Sequence, residues 1–313
     1  MARPSTLTSD EDHRVAGLVA AGTAVVVWGS SSVLVKNIDG MSGLAIAFHR
    51  LWIGAVLTVA AYLLSGRRFT LHLLWVSLPG GIAFSLDIVL FFSALKHTSV
   101  ANATIIGALQ PVLILAIAHR LFGERPHLRD AFWASVAIAG AVIVVAGAPS
   151  DGDATRAGDL LAVGALFAWT WYFIASKRVR VELGSFDYLA GLSVIAVGVV
   201  TPIVFVSREP IAVPNLSSWL TIVLIAVLNG AVGHFLMNWA HGHVPIVVVS
   251  LMTLAIPVFA TVTAAIFIDE PVSVAQVVGM AIVIAALSFV VVRTSSVAPE
   301  TAQAAEVAEP PGA

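Results

Sequence analysis

The sequence predicts an all-α integral membrane protein, with ten transmembrane helices forming two inverted five-helix repeats around a central cavity. Three observations carry this reading. Of 313 residues, 59% are hydrophobic and only 11% charged, with a mean hydropathy of +0.97. A soluble domain carries about 25% charge, so this chain lacks the polar surface to meet water all round. Its apolar residues fall into ten stretches of about twenty, the length that spans a bilayer. Two of those stretches, in corresponding places of the two halves, hold a proline near their midpoint, Pro111 and Pro257.

The first span, 15–35, ends in "VVVWGSSSVLVK", with Trp28 and Ser31 one turn apart. The second, 43–64, carries His49 and Arg50 near its outer end. A long arginine stem can snorkel to the interface, and that structural role is favoured for Arg50 over an inward turn toward Asp87 or a substrate carboxylate. His49 is expected to stay clear of any solute. The third span, 73–95, holds Asp87, with Phe84 and Phe91 on its face at −3 and +4. An aspartate at a helix centre costs about 2.5–3.5 kcal/mol to insert. It needs a reason, either as a proton-titrating or cation-pairing group on a cavity wall or in a structural pair with Arg, His or Ser. The fourth span, 101–121, puts Thr104, Gly107 and Pro111 on one stripe. The fifth, 130–147, closes the first half.

The second half repeats the plan. Span six, 158–176, carries Trp169 and Tyr172; like Trp28 and Ser31 they read either as interfacial-belt residues, the commoner place for membrane aromatics, or, lying several residues inside their spans, as residues that stack on a solute. Span seven covers 187–206. Span eight, 219–239, has Asn229 near the midplane, with Gly230, His234 and Asn238 on one face. The alternative for that face is interhelical hydrogen bonding with close packing at the glycine. Span nine, 245–267, lines up Ser250, Thr253 and Pro257, and span ten covers 272–292. A helix-interior proline has no N–H and leaves the carbonyl four residues back without its partner, here Gly107 and Thr253. Such backbone is tolerated at membrane depth only against protein or a water-filled cavity. Interrupted helices in matching positions of two halves point to a transporter's binding site. Glu124 and Glu270 end spans four and nine and read as interfacial terminators or caps for the following helix.

The polar residues 1–14 lack a signal-peptide layout and read as a cytoplasmic tail. Residues 148–157 read as the linker between repeats 15–147 and 158–293. The Ala/Pro/Glu-rich 294–313 is expected to be disordered. With the N-terminus inside, cytoplasmic loops collect eleven Lys and Arg residues and outer loops four, which places both termini in the cytoplasm; the expected location is a bacterial-type plasma membrane. An odd number of spans per half inverts the second repeat. Trp28 and Lys36 match Trp169 and Lys177 at an offset of 141, while His97, Pro111 and Glu124 match His243, Pro257 and Glu270 at 146. A net charge of −2 gives nucleic acid no footing, and the absence of cysteine removes disulfide and thiolate chemistry. There is no zinc-protease helix, nucleotide phosphate loop or nucleophile elbow, so no catalytic residue, cofactor or metal site is predicted.

The runs "WGSSSVLVK", "FHRL", "ALKHTSVANATIIGALQPVLILAIAHRLFGERP", "GDLLAVGALFAWTWYFIASKR" and "TLAIPVFATVTAAIFIDEP" closely resemble the EamA-type transporters of the drug/metabolite transporter superfamily, over about 15–292. The resemblance implies ten helices in two inverted repeats. It also implies a cavity built largely from spans one, three, four, six, eight and nine, and amino acids, other small metabolites or toxic compounds as substrates, often leaving the cell. Asp87 and His234 stand where many members carry more neutral residues, and "IDEP" departs from the family's Gly-Glu. The expected function is secondary transport of a small organic solute by alternating access. The expected partners are the lipid bilayer, that solute and, for coupled transport, protons; the protein itself is a monomer or homodimer. The rival readings are a sugar-phosphate or nucleotide-sugar carrier, an intramembrane enzyme using Asp87 with His234, and a non-transport membrane protein.

Overall fold

The computed structural model describes residues 6–36, 38–98, 100–124, 128–147, 155–208, 211, 213–267, 269 and 271–308. Glu270 and most of the expected linker lie outside the described residues. All regular structure among the described residues is helical. The first half comprises α1 (Thr6–Gly29), α2 (Ser31–Lys36), α3 (Gly43–Leu64), α4 (Leu71–His97), α5 (Val100–Gly107), α6 (Gln110–Phe122) and α7 (Leu128–Ala146). The second comprises α8 (Arg156–Val179), α9 (Ser185–Ser207), α10 (Leu216–Leu224), α11 (His234–His241), α12 (Ile246–Met252), α13 (Ile256–Phe267) and α14 (Val274–Ala308). A π-helical stretch, Ile225–Gly233, joins α10 to α11, and a 3₁₀ turn, Thr253–Ala255, joins α12 to α13.

Among the described residues, eight helical stretches are long and apolar enough to cross a membrane. Two further apolar helices, His13–Gly29 and Ala131–Ala146, occupy the places of spans one and five but are shorter. The first is short because the expected span breaks at Ser30, whose hydroxyl donates to Val27 O at 2.7 Å. Helix starts follow local chemistry: the side chains of Ser42, Thr70, Thr155 and Asn215 each accept a backbone N–H three residues on, as N-caps do. The backbone of α14 continues through 294–308, where composition pointed to disorder; Ala, Glu and Gln are strong helix formers.

The halves pack as a pseudo-twofold pair. α3 lies on α9 and α7 on α14, each joining equivalent spans; α4 lies on α8 as α11 lies on α1; α6 meets α12. The α7–α14 contact is close because glycines face each other: a Cβ at Gly279 would stand 2.7 Å from the Gly140 carbonyl oxygen. Trp133 stacks on Phe289 beside them, 4.5 Å between ring centres.

The two prolines sit where predicted, but each helix is interrupted rather than merely kinked. α5 ends at Gly107 and α6 restarts at Gln110, leaving Pro111 in a first turn where its missing N–H costs nothing. In span nine the Thr253 carbonyl, expected to lose its partner, accepts Ile256 N–H in the 3₁₀ turn. Glu124 does cap a helix, but not the following one. Its two carboxylate oxygens accept Ile246 N–H (2.8 Å) and Val247 N–H (3.2 Å) at the start of α12 in the other half. Lys177 Nζ donates to Val244 O at 2.8 Å and stands 3.9 Å from Glu124.

Candidate functional site

Both helix interruptions open onto one cavity, with about 140 Å³ accessible to the centres of water-sized molecules. Span four contributes Thr104 and Gly107, and span nine Thr253 and Pro257. Trp28 and Ser31 enter from α1 and α2, Asp87 and Phe91 from α4, Trp169 from α8, and Asn229 and His234 from span eight.

The π-helical turn of span eight gives this wall its shape. A π-turn loosens the regular backbone ladder and recurs at functional sites. Here the Asn229 carbonyl accepts the Trp28 indole N–H at 3.1 Å, while the Asn229 amide donates to Val27 O at 2.7 Å. The reciprocal pair clasps α1 to span eight and sets the Trp28 ring. Gly233 is needed there, since a Cβ would come 2.6 Å from Trp28 Nε1. Trp28 then meets Trp169 edge-on, 5.0 Å between centres, and His234 at 4.8 Å.

Arg50 corrects the expectation of snorkelling. It is 4% exposed and turns inward onto the cavity wall. Its guanidinium lies 5.9 Å from the Phe84 ring centre and 5.3 Å from that of Phe92, and Nη2 reaches His234 Nε2 at 3.4 Å. The helix turns Arg50 toward the facing α4, so its stem never reaches an interface. Asp87 lines the same cavity, and no Arg50–Asp87 ion pair forms within 4.0 Å. A buried guanidinium and a buried carboxyl group thus share one cavity without closing on each other.

Four predicted residues stand behind the wall instead of lining it. Phe84 packs beneath Arg50 and His234, 4.5 Å from the imidazole centre. Tyr172 is fully buried, its hydroxyl 3.0 Å from His234 Nδ1 and donating to Asn238 Oδ1 at 3.0 Å. Ser250 is fully buried and donates to Val247 O at 2.8 Å, one turn back in its own helix. Pro111 is buried at the start of α6, beyond the break that exposes Gly107. His49 faces Trp52 and Trp219 instead of the cavity. Sequence reasoning did not single out Ile88, Ala103, Ala108, Ala162, Ala165 or Leu166; small apolar residues are everywhere in such a chain.

Comparison with known proteins gives three findings. The model of the EamA-like transporter family matches twice, at residues 15–146 and 156–292. The chain is 27% identical over 229 residues to the aromatic amino acid exporter YddG of Ancylobacter novellus, covering 70% of this chain and 77% of that one. A solved crystal structure, 21% identical, superposes with a TM-score of 0.74 over 89% of this chain and 98% of its own, which shows the shared fold.

Proposed function

The chain belongs to the EamA-like transporter family, and from that premise we propose that it exports amino acids with apolar or aromatic side chains by alternating access. Membrane transport of small organic solutes is what the family and the exporter homologue support. The observation that carries the finer reading is the cavity itself. It lies at the two helix interruptions and combines an arginine, an aspartate and two tryptophans. An aromatic wall with a few placed polar groups suits an amphipathic solute. The exporter homologue's aromatic substrates fit that wall. A sugar-phosphate would call for several cationic side chains, and Arg50 is the cavity's arginine.

The two halves rock about this site, with ten crossings and both termini in the cytoplasm, the side favoured by the Lys and Arg bias. Asp87 and His234 are the proton-responsive groups if export is proton-coupled. Counterflow in proteoliposomes tests the reading. We expect labelled tryptophan to exchange against a preloaded amino-acid pool, and a Pro257→Ala, Thr253→Val double variant to lose most of that exchange. No exchange of tryptophan, threonine or a hydrophobic cation by folded protein would reject it. In the same assay, unchanged pH dependence in both Asp87→Asn and His234→Gln would remove proton coupling.

A further inference from the structure

Arg50 presents an unfinished site. Among its guanidinium nitrogens, Nε and Nη1 are buried and have no hydrogen-bond partner. A buried charge with unmet donors is costly unless a counter-group completes it. Asp87 carries the nearest candidate counter-group, yet it stays beyond 4.0 Å although both side chains line one cavity. Both groups are nine-tenths or more buried, so water screens them little. The cavity keeps the guanidinium and the carboxyl group apart.

What holds Arg50 away from Asp87 is a chain of hydrogen bonds behind it. A guanidinium can only donate, so His234 Nε2 accepts from Nη2 across the 3.4 Å contact. That fixes the imidazole proton on Nδ1, which donates to the Tyr172 oxygen at 3.0 Å. Tyr172 in turn donates to Asn238 Oδ1 at 3.0 Å. Every bond runs in one direction, and all three supporting side chains are at most 1% exposed. Phe84 and Phe92 present their rings to the guanidinium at 5.9 and 5.3 Å.

Resting on the amino-acid reading above, we propose that Arg50 and Asp87 form a zwitterion subsite, with Tyr172, His234 and Asn238 as its positioning residues. The Arg50 guanidinium takes the α-carboxylate, Asp87 takes the α-ammonium, and the side chain lies against Trp28 and Trp169. A charge-assisted bond between carboxylate and guanidinium is among the strongest a site offers. A ligand lacking either group leaves one buried charge unmet, which is the situation in which sites discriminate most strongly.

The test compares binding of L-phenylalanine, phenethylamine and 3-phenylpropionate to the purified full-length protein by titration calorimetry. The two analogues each lack one charged group. Expected is binding of phenylalanine at least about 100-fold tighter than either analogue. Tyr172→Phe, which keeps the ring, should weaken phenylalanine about 10-fold, the lower end of what losing an outer support costs a site. It should leave phenethylamine, held through Asp87, unchanged. Phenethylamine binding as tightly as phenylalanine would overturn the subsite, as would no phenylalanine binding at all. Equal weakening of both ligands by Tyr172→Phe would show a merely structural tyrosine and overturn the positioning role. Binding with the expected preferences but no flux in proteoliposomes would keep the subsite and reject transport.

Discussion

At the scale of single residues, the cavity is held by polar side chains that an apolar span has to satisfy, and the Trp28–Asn229 pair braces one wall of it. Asp87, Asn229 and His234 stood out because a polar group in an apolar span needs a partner or a function, and all three line the cavity. Arg50 was harder to read, because its length permits either a snorkelling or an inward pose, and only the position of α4 decides between them. Tyr172 and Phe84 share a helix face with cavity residues but stand one layer back, a difference in depth that periodicity does not encode. Trp28 offers a direct check on the clasp it makes. Trp28→Phe keeps an aromatic ring but strands the Asn229 carbonyl, and a buried acceptor without its donor costs about 1–3 kcal/mol. Thermal unfolding in detergent should show that loss. Asn229→Ala removes the reciprocal bond to Val27 O, so the double variant should fall short of the sum of the singles, as residues bracing one contact do. Strict additivity would mean that the two bonds are independent and that no clasp exists.

At the scale of elements, the apolar stretches and their prolines were legible, whereas the form of each interruption was not. A proline says that a helix is disturbed; whether the chain answers with a two-residue break, as at 108–109, or with a 3₁₀ turn, as at Thr253–Ala255, depends on what packs against it. The π-helical turn of span eight left no mark in the sequence beyond its asparagine. Glu124 shows the same limit. A carboxylate at a span end suggests a nearby cap, but its partner is the α12 N-terminus 122 residues away. There it satisfies two N–H groups that the first turn leaves unpaired and sits at the positive end of the helix dipole. Glu124→Ala should therefore destabilise the protein by about 1–2 kcal/mol. Glu124→Gln should cost less, since the amide oxygen still accepts one bond. Melting temperatures of the two variants against wild type give the order; equal loss, or none, would mean the contact does not hold α12.

At the scale of the whole molecule, the repeat was legible through shared offsets, such as Trp28 with Trp169 and Pro111 with Pro257, and the family model matches once in each half. Spans one and five are the weak points of the count, because their apolar helices are the short ones. Parity turns the question into a labelling experiment. Between Arg68 and Val181 the chain runs through spans three to six. If span five crosses, that is four crossings and the two positions share a side; if it does not, they face opposite sides. Likewise the N-terminus and Asp39 face opposite sides only if span one crosses. The chain has no cysteine, so a single introduced thiol is unique, and Arg68, Val181, Asp39 and Val213 are all exposed. With a membrane-impermeant maleimide on intact cells, Asp39→Cys and Val213→Cys should label. Arg68→Cys, Val181→Cys and Ala2→Cys should label only after the membrane is opened. Labelling of Val181→Cys from outside, with Arg68→Cys still protected, would remove span five from the membrane. It would also break the inversion, because an even number of spans in the first half would start the second half from the same side. The pairing of α7 with α14 through Gly140 and Gly279 argues for the crossing. α14 contains a full-length apolar span, Val274–Val292, and a helix lying flat on the surface could not run face to face along it.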